Sequence, residues 1–159
     1  MARSAEEYEK LIRWGIGQEE TDLVDIEILH YETDPTELTE LAHLHGKTVV
    51  ASAHFFAHTP GKEELRQLFY REGQTGADIL KVAAMPEKPK DVLRLMQVTR
   101  QIREETGKIL ITMSMGEMGK VSRVSGALTG SAVTFGTAGW ASAPGQISAD
   151  VLREILQEL

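Results

Sequence analysis

Five apolar runs punctuate the chain: LVDIEIL (Leu23–Leu29), TVVASAHFF (Thr48–Phe56), ADILKVAAM (Ala77–Met85), ILITMSM (Ile109–Met115) and SAVTFG (Ser131–Gly136). None alternates cleanly between polar and apolar, which is how strands covered on both faces of a parallel sheet read. Between them the pattern changes to amphipathic helices. DPTELTELAHLH carries Asp34 as N-cap, Pro35 at the first helical position and Glu37 three residues after the cap. TPGKEELRQLFYREG offers Thr59 as a cap and a stop at Gly73. KPKDVLRLMQVTRQIREETG predicts a longer helix closing near Gly107, and SADVLREILQEL opens on Ser148. The residues before the first run leave room for one helix. Strand then helix, repeated, predicts βαβ units, an α/β fold with about five parallel strands, and a single domain over residues 1–159.

One polar position breaks the pattern. Lys81 sits inside ADILKVAAM, where a strand should be apolar on both sides, and burying an ammonium costs several kcal/mol unless it is paired or neutralised. Glu27 to His54 and His54 to Lys81 are both steps of 27 residues. Matching positions in successive βα units lie side by side in a parallel sheet. Period-two alternation puts Asp25 and Glu27, Ser52 and His54, and Lys81 and Ala83 on like faces. The three ionisable groups then meet near the C-terminal strand ends, where (β/α) barrels and open α/β sheets keep their active sites. A desolvated lysine attacks a ketone or aldehyde to form an imine, and a histidine beside it removes the neighbouring proton. The plainer alternatives are a lysine snorkelling to a strand end and a hydrogen-bonded core histidine.

Composition narrows the field. The 159 residues carry a net charge of −7, which argues against nucleic acid or an anionic membrane as partner. There is no cysteine, and no apolar run approaches the ~20 residues that span a bilayer, so a cytoplasmic protein is expected. No glycine-rich nucleotide motif follows a strand. His54 and His58 stand four apart, but a strand ending at Phe56 leaves His58 in a loop. His30, His43 and His45 suit solvated or capping roles. No metal site is expected. Arg123, in the loop after ILITMSM, with Ser142, Gly145 and Gln146 of ASAPGQIS, forms a plausible carboxylate clamp. The alternative for Arg123 is a charge on a helix surface.

SAHFFAHTP, ADILKVAAMP, ITMSMGEMGKVSRVSG and SAVTFGTAGWASAPGQIS together resemble the type I 3-dehydroquinate dehydratases, from about Asp22 to the C-terminus. The resemblance implies a (β/α)8 TIM barrel that dehydrates 3-dehydroquinate to 3-dehydroshikimate, in the shikimate pathway, without a cofactor. It implies Lys81 as the imine-forming residue, His54 as general acid/base and Glu27 as a partner orienting His54 or Lys81. Arg123, Ser142 and Gln146 would hold the substrate carboxylate, and Met113, Met115 and Phe135 would line the pocket.

Two departures accompany the likeness. The family usually has a polar residue after the histidine, and here it is Phe55. The family also has three strands before LVDIEIL, carrying further substrate-binding groups; of these only Arg3, in Ala2–Ser4, has a counterpart. Five strands cannot close an eight-stranded barrel, so the expectation is a truncated barrel that forms a homo-oligomer to cover its open edges. Besides the lyase, two other readings stay open. One is a non-catalytic module binding quinate-like carboxylates; the other is a different Schiff-base aldolase or lyase.

Overall fold

A computed structural model describes residues 4–29, 34–140 and 143–159. Four strands, β1 (Leu23–Glu27), β2 (Thr48–Phe55), β3 (Ile79–Ala84) and β4 (Ile109–Ser114), form one parallel sheet in chain order. Helices α1 (Ala5–Ile16), α2 (Pro35–Leu44), α3 (Lys62–Gln74) and α4 (Pro89–Thr106) cover its outer face. Short helices α5 (Lys120–Val124) and α6 (Gly126–Thr129) follow β4. A two-stranded parallel pair, β5 (Gly136–Thr137) and β6 (Ile147–Ser148), leads into the last helix, α7 (Ala149–Glu158). No described helix is long and apolar enough to cross a membrane.

Alternation along the strands makes two apolar layers. Val24, Ile26, Val49, Ala51, Ala53, Leu80, Val82, Ala84 and Leu110 point outward into the main core, against Leu38, Leu65, Phe69, Leu95 and Ile102 of the helices. The small alanines let the helices lie close to the sheet. Ala83, Ile111, Met113 and Met115 belong to a separate inner layer. The face carrying Asp25, Glu27, His54 and Lys81 is that inner face.

The helix ends follow the local chemistry. Asp34 accepts from the Thr36 N–H with Pro35 inside the first turn, Ser148 accepts from the Val151 N–H, and Gly107 closes α4 with φ +67°. Glu37, expected to complete a capping box, receives Arg13 of α1. Thr59 does not cap α3. Its hydroxyl donates to the Met85 carbonyl beyond β3, and the N-cap falls two residues later, at Gly61. The buried threonine tethers the loop to a strand end and is therefore unavailable to the helix.

The fifth apolar run forms no full strand. Ser131 makes a single parallel bridge to Leu110, and the Ala132 N–H donates to the Leu110 carbonyl. The next ladder position fails because the Ser131 hydroxyl, not a main-chain carbonyl, accepts from the Thr112 N–H. The structure is a four-stranded open segment of a barrel wall with a fifth run attached by one rung.

Candidate active site

The register corrects the idea of one row of ionisable groups. Glu27 lies opposite Ser52, and Ser52 opposite Lys81, whereas His54 stands two residues farther along β2, opposite Ala83. The equal sequence steps mislead because the intervening helices differ in length, α2 having 10 residues and α3 having 13. All four groups still share the inner face, and side-chain reach closes the gap.

His54 Nδ1 meets Glu27 Oε2 at 2.6 Å. With a carboxylate as acceptor, Nδ1 carries the proton and Nε2 is the basic nitrogen of the ring. Glu27's other oxygen accepts the Leu29 N–H at 3.1 Å, which fixes the carboxylate plane. Phe56 stacks on the imidazole with centroids 5.8 Å apart, whereas Phe55 lies on the opposite side of the strand, edge-on to His58 and packed against the main core. The residue after the histidine therefore faces away from the site, and its apolar character serves packing.

Lys81 has a partner that sequence reasoning placed on the right face but did not pick out. Its Nζ lies 2.6 Å from Asp25 Oδ2, across the intervening strand β2, and its side chain is only 13% exposed. The buried charge is balanced by a carboxylate from the sheet edge. The available signal was the same-face carboxylate two residues before Glu27. Lys81 Nζ also sits 5.5 Å from the Phe135 ring centroid, a cation–π contact from the fifth run.

Arg123 lies within helix α5, not in a loop or on its surface, and is 2% exposed. One of its amino groups reaches Met113 Sδ at 3.8 Å and the other the Pro144 carbonyl at 3.4 Å, while its Nε has no partner. No carboxylate pairs with it among the described residues, and burial pulls its pKa down from the ordinary arginine value. A buried guanidinium without a counter-ion favours an anionic occupant beside it. The loop carrying Gln146 is fastened to the end of β4: the Gly116 N–H donates to the Pro144 carbonyl, and Gly145 (φ +74°) approaches the Gly116 carbonyl so closely that a Cβ would sit 2.1 Å from its oxygen.

These groups surround one cavity of ≈ 360 Å³. His54, Lys81, Met113, Met115, Arg123, Phe135 and Gln146 all line it, with Phe56, Ala83 and Ala143. Glu27 stands behind His54, while Ser142 and Arg3, like His30, lie outside the described residues. His43 pairs with Asp78 at the opposite strand ends and His45 bonds the Leu41 carbonyl at the close of α2, both away from the cavity. An amine, an oriented imidazole and an uncompensated guanidinium around one space suit covalent chemistry on a carbonyl that also bears an anionic group.

The family model for type I 3-dehydroquinase matches residues 1–159. The chain belongs to the type I 3-dehydroquinase family. A 3-dehydroquinate dehydratase of Syntrophotalea carbinolica is 48% identical over 141 residues, covering 88% of this chain and 56% of the relative. The crystal structure of 3-dehydroquinate dehydratase from Geobacillus kaustophilus superposes with a TM-score of 0.86 at 41% identity, over 98% of this chain and 58% of that one. The type I enzyme from Clostridium difficile, solved with covalently modified comenic acid, gives a TM-score of 0.90 at 38% identity, over 98% and 61%. This type I 3-dehydroquinase chain thus spans little more than half the length of the relatives it matches, and its sheet is a segment of their fold.

Proposed function

We propose that this chain, as one domain, carries the covalent centre of a lyase that dehydrates 3-dehydroquinate to 3-dehydroshikimate, a cytoplasmic step of the shikimate pathway. The observation that carries the reading is the single cavity shared by Lys81, His54 and the carboxylate-free Arg123. Arg123, with Gln146 and Ser142, holds the substrate carboxylate, Arg3 joins the substrate-binding set, and Met113, Met115 and Phe135 shape the apolar walls. Lys81 gives its extra proton to a neighbouring base, for which Asp25 stands nearest, and attacks the ketone carbon. Loss of water from the carbinolamine gives the protonated imine, which acidifies the adjacent carbon. His54 Nε2, with Glu27 steadying Nδ1, takes that proton and the electron pair forms an enamine. The enamine pushes out the β-hydroxyl, which leaves as water with the proton from His54. Hydrolysis of the conjugated imine returns the lysine and consumes the water released when it formed, so one water is lost overall. No cofactor is required by this sequence of steps. We further propose a homo-oligomer that covers the free edge of β1.

Incubation with 3-dehydroquinate and borohydride, followed by mass spectrometry, tests the centre. A reduced substrate adduct on Lys81, absent in Lys81→Ala, is expected. Where turnover is seen by the ultraviolet absorbance of the enone product, His54→Ala should lower it about 10²–10⁴-fold. Calorimetric binding of quinate without any adduct would replace the lyase with a carboxylate-binding module.

A further inference from the structure

Among the described residues β1 is the edge of the sheet, and its odd-numbered main-chain groups face away from β2. The Ile28 N–H donates to the Ser52 carbonyl and the Thr48 N–H to the Asp22 carbonyl, so the Glu27 N–H points to the open side. An unmatched N–H at an edge weakens the strand end that carries it. Here it is met by the Tyr8 hydroxyl of α1, which accepts it at 2.7 Å. Tyr8 is itself buried, one turn before Ile12, which packs on the main core.

This contact leads directly to the site. Glu27 is fixed at its main chain by Tyr8 and at one carboxylate oxygen by the Leu29 N–H, and its remaining oxygen holds His54 Nδ1. We propose that Tyr8 is a positioning residue for the imidazole: its hydroxyl stands in for a neighbouring strand at Glu27 and so fixes the carboxylate that orients His54. The role of the ring in catalysis rests on the function proposed above, but the positioning does not. A helix outside the barrel wall thereby helps set the geometry of a group inside it.

Tyr8→Phe keeps the ring and removes the hydroxyl, and solution NMR of the whole chain reads the result. The Glu27 amide should exchange with solvent about five- to tenfold faster, while the Val82 amide in central β3 stays protected. The His54 Nδ1 proton, seen far downfield while it is held by the carboxylate, should broaden or vanish. In a Glu27→Ala background the same Tyr8→Phe change should leave the His54 signals where they are, because the link is already cut. Unchanged Glu27 exchange, or an intact Nδ1 proton in Tyr8→Phe, overturns the proposal. If Tyr8→Phe loses Val82 protection as well, the unaltered protein decides: a Glu27 amide exchanging as fast as an open edge overturns it, and a protected one sustains it. None of these readouts depends on turnover, so failure of the lyase reading and failure of this one are separable.

Discussion

Glu72 of α3 is a carboxyl group in the wrong medium: it is 0% exposed, and neither of its oxygens has a hydrogen-bond partner. Burial, reinforced by the like charges of Glu27 and Asp25 and only partly relieved by Arg71 and Lys81, pushes its pKa well above the ordinary 4.5. The sign of its effect on stability follows. Unfolded, the group ionises near 4.5; folded, it keeps its proton to much higher pH. Above 4.5 the folded chain therefore holds the extra proton, and this group makes stability fall as pH rises until the folded value is reached, at up to about 1.4 kcal/mol per pH unit. Glu72→Met is expected to raise stability at pH 8 by about 1–3 kcal/mol, with a smaller gain near pH 5. Urea unfolding at the two pH values measures it, and parallel curves for the two proteins would refute the account. The contrast with Lys81 is instructive. Both are ionisable side chains taken out of water, but the lysine has Asp25 at 2.6 Å and opens on the cavity, whereas the glutamate has neither. Sequence pattern exposed the lysine because a strand interior is uniformly apolar. It did not single out Glu72, because a glutamate in an amphipathic helix looks like any solvated position until the helix is docked.

The loop between β5 and β6 is held by geometry more than by burial. Gly116 and Gly145 both have positive φ, and their backbones touch where no side chain fits. Gly145→Ala combines the left-handed penalty of roughly 1–2 kcal/mol with a collision against the Gly116 carbonyl. The loop should lift from β4 and carry Gln146 and the Pro144 carbonyl away from Arg123. Calorimetry with 3-dehydroquinate is expected to show at least about tenfold weaker binding. The main sheet should melt nearly as before, since none of its ladder bonds involves this loop. Undiminished affinity would mean that the loop does not shape the site. At this scale the sequence was informative wherever one residue settles a local question, as Asp34, Gly107 and Ser148 do at helix ends. It misled where a tertiary partner took the residue, as Met85 takes Thr59 and Thr112 takes Ser131. The two faces of β1, β2 and β3 were legible from alternation, which put Glu27, His54 and Lys81 on one inner face. Register was not, because it depends on how far each helix carries the chain before it returns.

An open segment of barrel wall leaves surfaces that a closed barrel would cover. Among the described residues β1 has a free edge, closed at Glu27 by Tyr8. At the other end, α7 buries only Leu152 fully and leaves Val151, Leu156 and Leu159 exposed, while α1 exposes Leu11 and Trp14. Apolar stripes on two amphipathic helices and an unpaired strand edge are the features through which chains associate. Their burial in a second copy would raise stability with protein concentration, since binding to the folded state alone shifts the folding equilibrium. Size-exclusion chromatography with light scattering is accordingly expected to give a dimer or larger species at micromolar concentration, with an unfolding midpoint that climbs on concentrating the sample. Leu156→Lys together with Leu159→Lys, at two exposed positions, should shift the population toward monomer if α7 lies in the interface. A stable monomer with a concentration-independent midpoint would show that the open edge is tolerated as it stands, with Tyr8 and the helices sufficient to protect it.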